Sequence, residues 1–200
     1  MDKRKEEIVE VALKRFAHYG FNKTTMNEIA DDLNVTKANL YYYYPDKFAL
    51  IKDVIRYVFM EIQREEEDLI SSYQRNFLEV MFSLLELRAS YLKKYYVLHI
   101  NENLEWIKGV EINEFLQECH QDDLRHLKSF MSKAVESGEL LVQDIDETCS
   151  VYIEIVKAIS IMHNVHDIIT GIPNKENVDK ILDSQKKATK LIFENRINRK

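Results

Sequence analysis

The chain has 200 residues, 46% apolar and 31% charged, with a net charge of −6, enough apolar content for one ordinary core or for a small head on a larger body. Only four glycines and two prolines are present, which excludes a strand-and-turn architecture and predicts long helices with short connections. No window approaches eighteen apolar residues without a charge, so a transmembrane helix is not expected.

Ile8, Val9, Ala12, Leu13 and Phe16 recur at helical spacing, with Gly20 as the expected stop and Phe21 packing back. Thr25 and Glu28 form a T-x-x-E capping box that opens a second helix. Its apolar stripe is Ile29, Ala30 and Leu33. Asn34 suits a left-handed stop, Val35 plugs the turn, and Thr36 N-caps a third helix that runs to about Tyr43, before Pro45. In this third helix Leu40, Tyr41 and Tyr44 are assigned to the core, and Tyr42 and Tyr43 to the outer side. A fourth helix from Asp46 through Glu67 or beyond is expected to join head to body. Phe48, Leu50, Ile51 and Ile55 would touch the head, and Val58, Phe59 and Ile62 the body. Further helices are expected over about 75–99, over 110–136 ended by Ser137–Gly138, over 146–169 closed by Gly171 and Pro173, and from about Lys175. Asn101–Gly109 reads as a break. Segment 146–169 is apolar nearly all round, the mark of a helix buried on every side. In so small a body this points to a subunit interface, and two-fold dimers are the commonest assembly.

Residues 25–44 therefore read as two short helices around a tight turn, in a head with its own three-helix core. A helix that exposes Thr36, Lys37, Asn39, Tyr42 and Tyr43 over a buried Leu40 has the dimensions and chemistry of a DNA-reading element. The acidic net charge argues weakly against nucleic acid, but its distribution does not. Residues 1–56 carry ten Lys/Arg against nine Asp/Glu, whereas residues 57–200 carry 18 against 25. Lys3, Arg4, Lys5, Lys23, Lys37 and Lys47 lie near the ends of the reading unit, where phosphates would be met.

The run Ala12–Ile51, ALKRFAHYGFNKTTMNEIADDLNVTKANLYYYYPDKFALI, resembles the N-terminal DNA-binding domain of the TetR family of bacterial transcriptional regulators. The matching features are FAHYGF, TTMNEIA, LNVTKANLYYYY and PDKFAL, in the family's order and spacing. The resemblance covers about the first 55 residues; the remainder matches only in being all-helical and of suitable length. Asn34 stands where the turn usually has Gly, and Tyr44 where Phe usually precedes the proline. The resemblance implies an all-α protein with a helix-turn-helix head (residues 1–47) and a helical ligand-binding and dimerisation body (48–200). It implies DNA contacts by Thr25, Thr36, Lys37, Asn39, Tyr42 and Lys47, to which exposure adds Tyr43. It also implies a homodimer paired through its last two long helices on a pseudo-palindromic double-stranded operator. The implied activity is repression, relieved by a small-molecule effector.

Each of these residues also has a plainer role. Thr25 and Thr36 are caps, although a helix N-terminus that is capped also binds phosphate. Phe59, Phe77, Met81, Arg88, Tyr91, Tyr95, Trp106, Phe115, Tyr152 and Met162 are candidates for lining an effector pocket, and for each alone core packing is the simpler account. Arg88 stands out as a rim residue, an ion-pair partner or an anchor for an acidic ligand. His163 and His166 share a helix face, and Cys119 adjoins His120, but no zinc-type spacing is present, so neither metal nor cofactor is expected. No phosphate loop, nucleophile elbow or paired carboxylates indicate an enzyme. A helical-bundle enzyme and a dimeric protein-interaction module without DNA binding are the alternatives. MDKRKEE has no apolar stretch of a secretory signal, and Cys119 and Cys149 read as reduced thiols of a cytoplasmic protein.

Overall fold

The computed structural model describes residues 2–99, 110–170, 172 and 174–198. Trp106, the expected break at Asn101–Gly109, and the helix-closing Gly171 and Pro173 lie outside the described residues. Within them the chain is all-helical: α1 (Lys3–Lys23), α2 (Met26–Asp32), α3 (Lys37–Tyr43), α4 (Lys47–Ser71), α5 (Phe77–Lys94), α6 (Tyr96–His99), α7 (Val110–Glu136), α8 (Ile145–Thr170), α9 (Asn177–Phe193) and a closing 3₁₀ turn, Glu194–Arg196. Leu140 and Ile197 form an isolated β-bridge. Among the described residues no helix is long and apolar enough to cross a membrane.

The head closes around Phe16, Phe21, Ile29, Leu40, Tyr44 and Leu50, joined by the apolar faces of α1, α2 and α4. Gly20, at φ 81°, interrupts α1 where the sequence predicts a stop, and the Thr24 hydroxyl donates to its carbonyl at 3.0 Å. Asn34 adopts the left-handed conformation at φ 54°. Arg15, which sequence reasoning did not single out, forks onto Asp32 at 2.6 and 3.0 Å and stands 3.2 Å from Glu28, pinning α1 to α2.

Asp46 caps α4 by accepting the Ala49 N–H at 2.7 Å. The 25 residues of α4 span roughly 37 Å. Leu50, Ile51 and Val54 lie in the head core, while Ile70 lies in the body core. Val58, expected to reach the body, packs on the head cluster instead. The cause is the turn into α6, where Tyr95 and Leu98 pack on the same cluster and extend the head core along α4.

The helix expected over 75–99 is two elements. It starts late because Arg75 is left-handed, at φ 59°. Its first turn is capped from a distance, with the Phe77 N–H donating to both Glu139 oxygens at 3.0 and 3.2 Å. It breaks at Tyr95, and α6 turns aside onto α1. Tyr96, fully buried, sets its hydroxyl 2.5 Å from Asp167 and 3.0 Å from Asn164. Asp167 also accepts the Asn174 N–H at 2.9 Å and the Asn177 amide at 3.1 Å. Burial pushes the Asp167 carboxyl up, but these three donors outweigh it and hold the group below the usual aspartate range. One polar knot thus ties α6 to α8 and to the start of α9.

Within one chain α8 is not buried on every side. Val151, Ile161, Met162, Val165 and Ile169 are 47–78% exposed and form a stripe along it, and Leu191 of α9 is 83% exposed. A continuous apolar face of this kind marks an interaction surface.

Two stability measurements follow from this architecture. In urea denaturation, Asn34→Gly is neutral or slightly stabilising, whereas Asn34→Val costs about 1–2 kcal/mol, because a β-branched residue pays for the left-handed conformation. Tyr96→Phe costs about 1–3 kcal/mol, because it removes a donor from a buried carboxylate. A depressed carboxyl contributes stability above its unfolded pKa and loses it as pH falls through the folded value. Stability titrated through the acid range therefore falls less steeply in Tyr96→Phe than in the wild type.

Candidate nucleic-acid interface and body cavity

The reading unit is built from two caps and one anchor. Thr25 accepts the Glu28 N–H at 3.3 Å, while Glu28 accepts both the Thr25 N–H and the Thr25 hydroxyl at 2.8 Å. Those last two bonds hold the Glu28 carboxyl below its ordinary range. The Thr25 hydroxyl proton is therefore committed to Glu28. Thr36 differs: its oxygen accepts the Asn39 N–H at 3.2 Å, which leaves its proton for an outside acceptor. Leu40 is fully buried and fixes the rotation of α3.

That rotation corrects the assignment of the tyrosines. Residues three and four beyond Leu40 share its face, so Tyr43 and Tyr44 turn inward and Tyr41 does not. Tyr44 is 2% exposed, and its hydroxyl donates to Asp53 at 3.0 Å; burial, with Asp53 beside it, pushes its pKa up. Tyr43 is half-buried against the head core and meets Tyr42 edge-on at 5.2 Å. Tyr41 is exposed, with the Lys37 ammonium 5.5 Å above its ring. Tyr42 is 83% exposed. The outward face of α3 is therefore Lys37, Ala38, Asn39, Tyr41 and Tyr42, which presents a cation, an amide and two phenols for base edges and phosphates.

Lys47 stands slightly apart. Its ammonium donates to the carbonyls of Phe21 at 2.8 Å and Thr24 at 3.0 Å, and burial lowers its pKa. It ties the start of α4 to the end of α1, and these two bonds use two of its three donors.

The body holds a second site, a cavity of about 80 Å³ between α4, α5, α7 and α8. Met81, Arg88 and Tyr152 line it, together with Glu66, Ile70, Leu84, Leu85, Asp123, His126, Leu127, Phe130, Ile153, Val156 and Lys157. Phe77 stacks behind it on Phe130, at 5.3 Å. The other sequence-based candidates among the described residues lie elsewhere. Phe59 is half-buried away from the lining. The Tyr91 hydroxyl donates to Glu65 at 2.6 Å. Tyr95 packs on the head, Phe115 is covered by the Arg56 guanidinium at 5.2 Å, and Met162 sits on the open stripe of α8. Periodicity places an aromatic on a helix face but does not tell which of several buried spaces that face meets.

At the polar end of the cavity Arg88 donates to Glu66 at 2.5 and 3.0 Å and to Asp123 at 3.1 Å. Lys157 lies 3.2 Å from Asp123. Glu66 and Asp123 are only 1% and 4% exposed, so these pairings offset an otherwise large desolvation cost. Of these, sequence reasoning found Arg88 alone; an acidic residue one turn inside an apolar stripe, as Glu66 is beside Ile70, was the available signal. Cys119 and Cys149 are both free thiols, pushed up to about 11 chiefly by burial, which leaves them protonated and unreactive. Among the described residues no three His, Cys, Asp or Glu side chains gather into a metal set.

Residues 8–54 match the family model described as "Bacterial regulatory proteins, tetR family". The chain is 24% identical over 159 residues to the HTH-type transcriptional regulator YhgD of Bacillus subtilis, covering 78% of this chain and 82% of that one. It is 38% identical over 52 residues to a protein of Escherichia coli named "Probable acrEF/envCD operon repressor", covering 26% of this chain but 24% of that one. In fold it is similar to a transcriptional regulator from Cytophaga hutchinsonii, with a TM-score of 0.81 at 22% identity over 96% of this chain and 99% of that one. The matched residues 8–54 enclose both caps, the α3 anchor and the whole outward face of α3, and on that ground the head is a DNA-binding domain of the TetR family and the chain a DNA-binding transcriptional regulator.

Proposed function

We propose that the protein acts as a homodimeric repressor in the cytoplasm, rather than as an enzyme, and that a small molecule taken into the body cavity releases it from a pseudo-palindromic operator. The observation that carries this reading is the continuity of α4. One helix is buried at Leu50, Ile51 and Val54 in the core beneath α3 and supplies Glu66 and Ile70 to the cavity wall. A ligand that alters the Arg88–Glu66 contact acts on the far end of the helix that carries the head. It shifts the equilibrium only so far as it binds the two head positions unequally. The open stripe of α8 and Leu191 of α9 supply a self-complementary apolar face of the kind that a two-fold axis requires. Lys37, Asn39 and Tyr42, with Tyr41 beside them, are the proposed readers. Thr36, Tyr43 and Lys47 are proposed for the backbone, and Thr25 joins them by exchanging the Glu28 carboxylate for a phosphate oxygen.

The near-neutral head keeps a second reading, a protein-binding dimer without an operator. A gel shift with the promoter region flanking its own gene separates the two. Retardation that is abolished by rising salt supports the first reading, and no retardation at low salt supports the second.

By fluorescence anisotropy at fixed salt, Lys37→Ala weakens operator binding by about 1–3 kcal/mol and relaxes base preference, while Tyr42→Ala weakens it without changing the thermal midpoint. Lys47→Ala weakens all sequences alike and also lowers the midpoint, since it unties two carbonyls. Wild-type affinity in Lys37→Ala removes that residue from the interface. The paired substitution Ile161→Glu with Val165→Glu gives a monomer by analytical ultracentrifugation, with operator affinity lost in parallel. A dimer that survives the change moves the interface elsewhere.

A further inference from the structure

The hydrogen-bonding inventory of the cavity's polar end is lopsided. Its acceptors are occupied. Both Glu66 oxygens accept from Arg88, Asp123 Oδ1 accepts from Arg88, and Oδ2 faces Lys157 at 3.2 Å. Its donors are in surplus. Arg88 uses Nε and Nη2 and leaves both N–H groups of Nη1 without a partner among the described residues. His126 Nε2 is buried without a hydrogen-bond partner, 3.5 Å from Glu66. Two carboxylates already balance Arg88 and Lys157, so an entering cation has to break an ion pair, whereas an entering anion meets the Nη1 N–H groups of Arg88 and, in the tautomer that carries its proton on Nε2, His126. Deeper in, the walls are Ile70, Met81, Leu84, Phe130 and Ile153, which offer nothing to a second charge.

We infer that the cavity takes a small apolar monocarboxylate, with its carboxylate on Arg88 Nη1 and His126 Nε2 and its hydrocarbon on the Ile70–Phe130 wall. Arg88 is suited to this because its planar fork can serve Glu66 along one edge and a second carboxylate from its remaining nitrogen. Binding then draws Arg88 toward the ligand at the expense of Glu66, the residue by which α4 feels the cavity. The inference rests on the effector reading of the same cavity and supplies the chemistry of the effector.

The test is isothermal titration calorimetry on the full-length protein without DNA. The probes are 3-methylbutanoate, benzoate and phenylacetate, against 3-methylbutanamide and 3-methylbutylamine, which keep one carbon skeleton and change only the head. At least one acid binds saturably, and for the shared skeleton the amide and the amine bind roughly tenfold more weakly or not at all, as expected for hydrogen bonds to a charge. His126→Leu keeps the packing, removes one donor and weakens the acid by roughly tenfold, a larger loss than for the uncharged amide. Arg88→Lys keeps the charge opposite Glu66 and Asp123 and removes the fork, with the same direction of effect. Should it fail to fold by circular dichroism, His126→Leu decides alone. The inference is overturned if no acid binds, if the amide or amine matches the acid, or if a folded His126→Leu binds the acid as the wild type does. Operator release is assayed separately. Acids that fail to bind, while cell extract still releases the operator, overturn this inference and leave the regulator reading intact. An acid that binds without releasing the operator supports the inference and overturns the release step.

Discussion

The body is organised around a buried charge that cannot be left alone. Glu66 and Asp123 come from different helices and are almost wholly removed from water. Each is tolerable because it is paired: Arg88 reaches both, and Lys157 stands beside Asp123. Burying an unpaired carboxylate costs several kcal/mol, while a paired one is nearly neutral against an apolar substitute. The triad therefore adds little net stability, but it makes one arrangement of α4, α5 and α7 far better than its neighbours. Ridge packing of leucines would let these helices slide; a guanidinium serving two carboxylates does not. The cavity exists because the charges hold the helices around it, and its walls are apolar because the inward faces of α4, α5, α7 and α8 meet there.

The head has a counterpart at its surface, Arg15 on Asp32 and Glu28, but most of its plan is set locally and was therefore legible in the chain. The controls that set its helix ends are local: Thr25 with Glu28, Thr36 with Asn39, Asp46 with Ala49, and left-handed residues at Gly20 and Asn34. Each acts across three or four residues, so each can be recognised in one window of sequence. The error lay within the tyrosine run. Four identical rings carry no hydrophobic contrast, and only the register from Leu40 separates the inward Tyr43 and Tyr44 from the outward Tyr41 and Tyr42. The body resisted reading for the opposite reason. Arg88 is visible as an oddity, but its partners lie 22 and 35 residues away. Glu139, which caps α5 from 62 residues off, has no local signature. Neither has the break at Tyr95, which depends on α1 offering a surface for α6.

A match of 52 residues to the Escherichia coli protein is 38% identical, and the longer match to YhgD is 24% identical. A head held by short-range caps and one compact core has few ways to change and still present α3 outward. A body held by long-range charge pairs carries fewer local signatures, and the fold is kept at 22% identity over 96% of the chain.

The two attachments of the head have a consequence for entropy. α4 holds it from one side, and α6 holds it from the other through contacts with α1, anchored by Tyr96 to Asp167 and Asn164. A domain hung on a single helix would sample many orientations and lose that freedom on every productive encounter with DNA. A domain held at two points has surrendered most of it in folding, so less is charged against association. Loosening either attachment would then weaken recognition even if the mean position of the head never moved, through disorder alone.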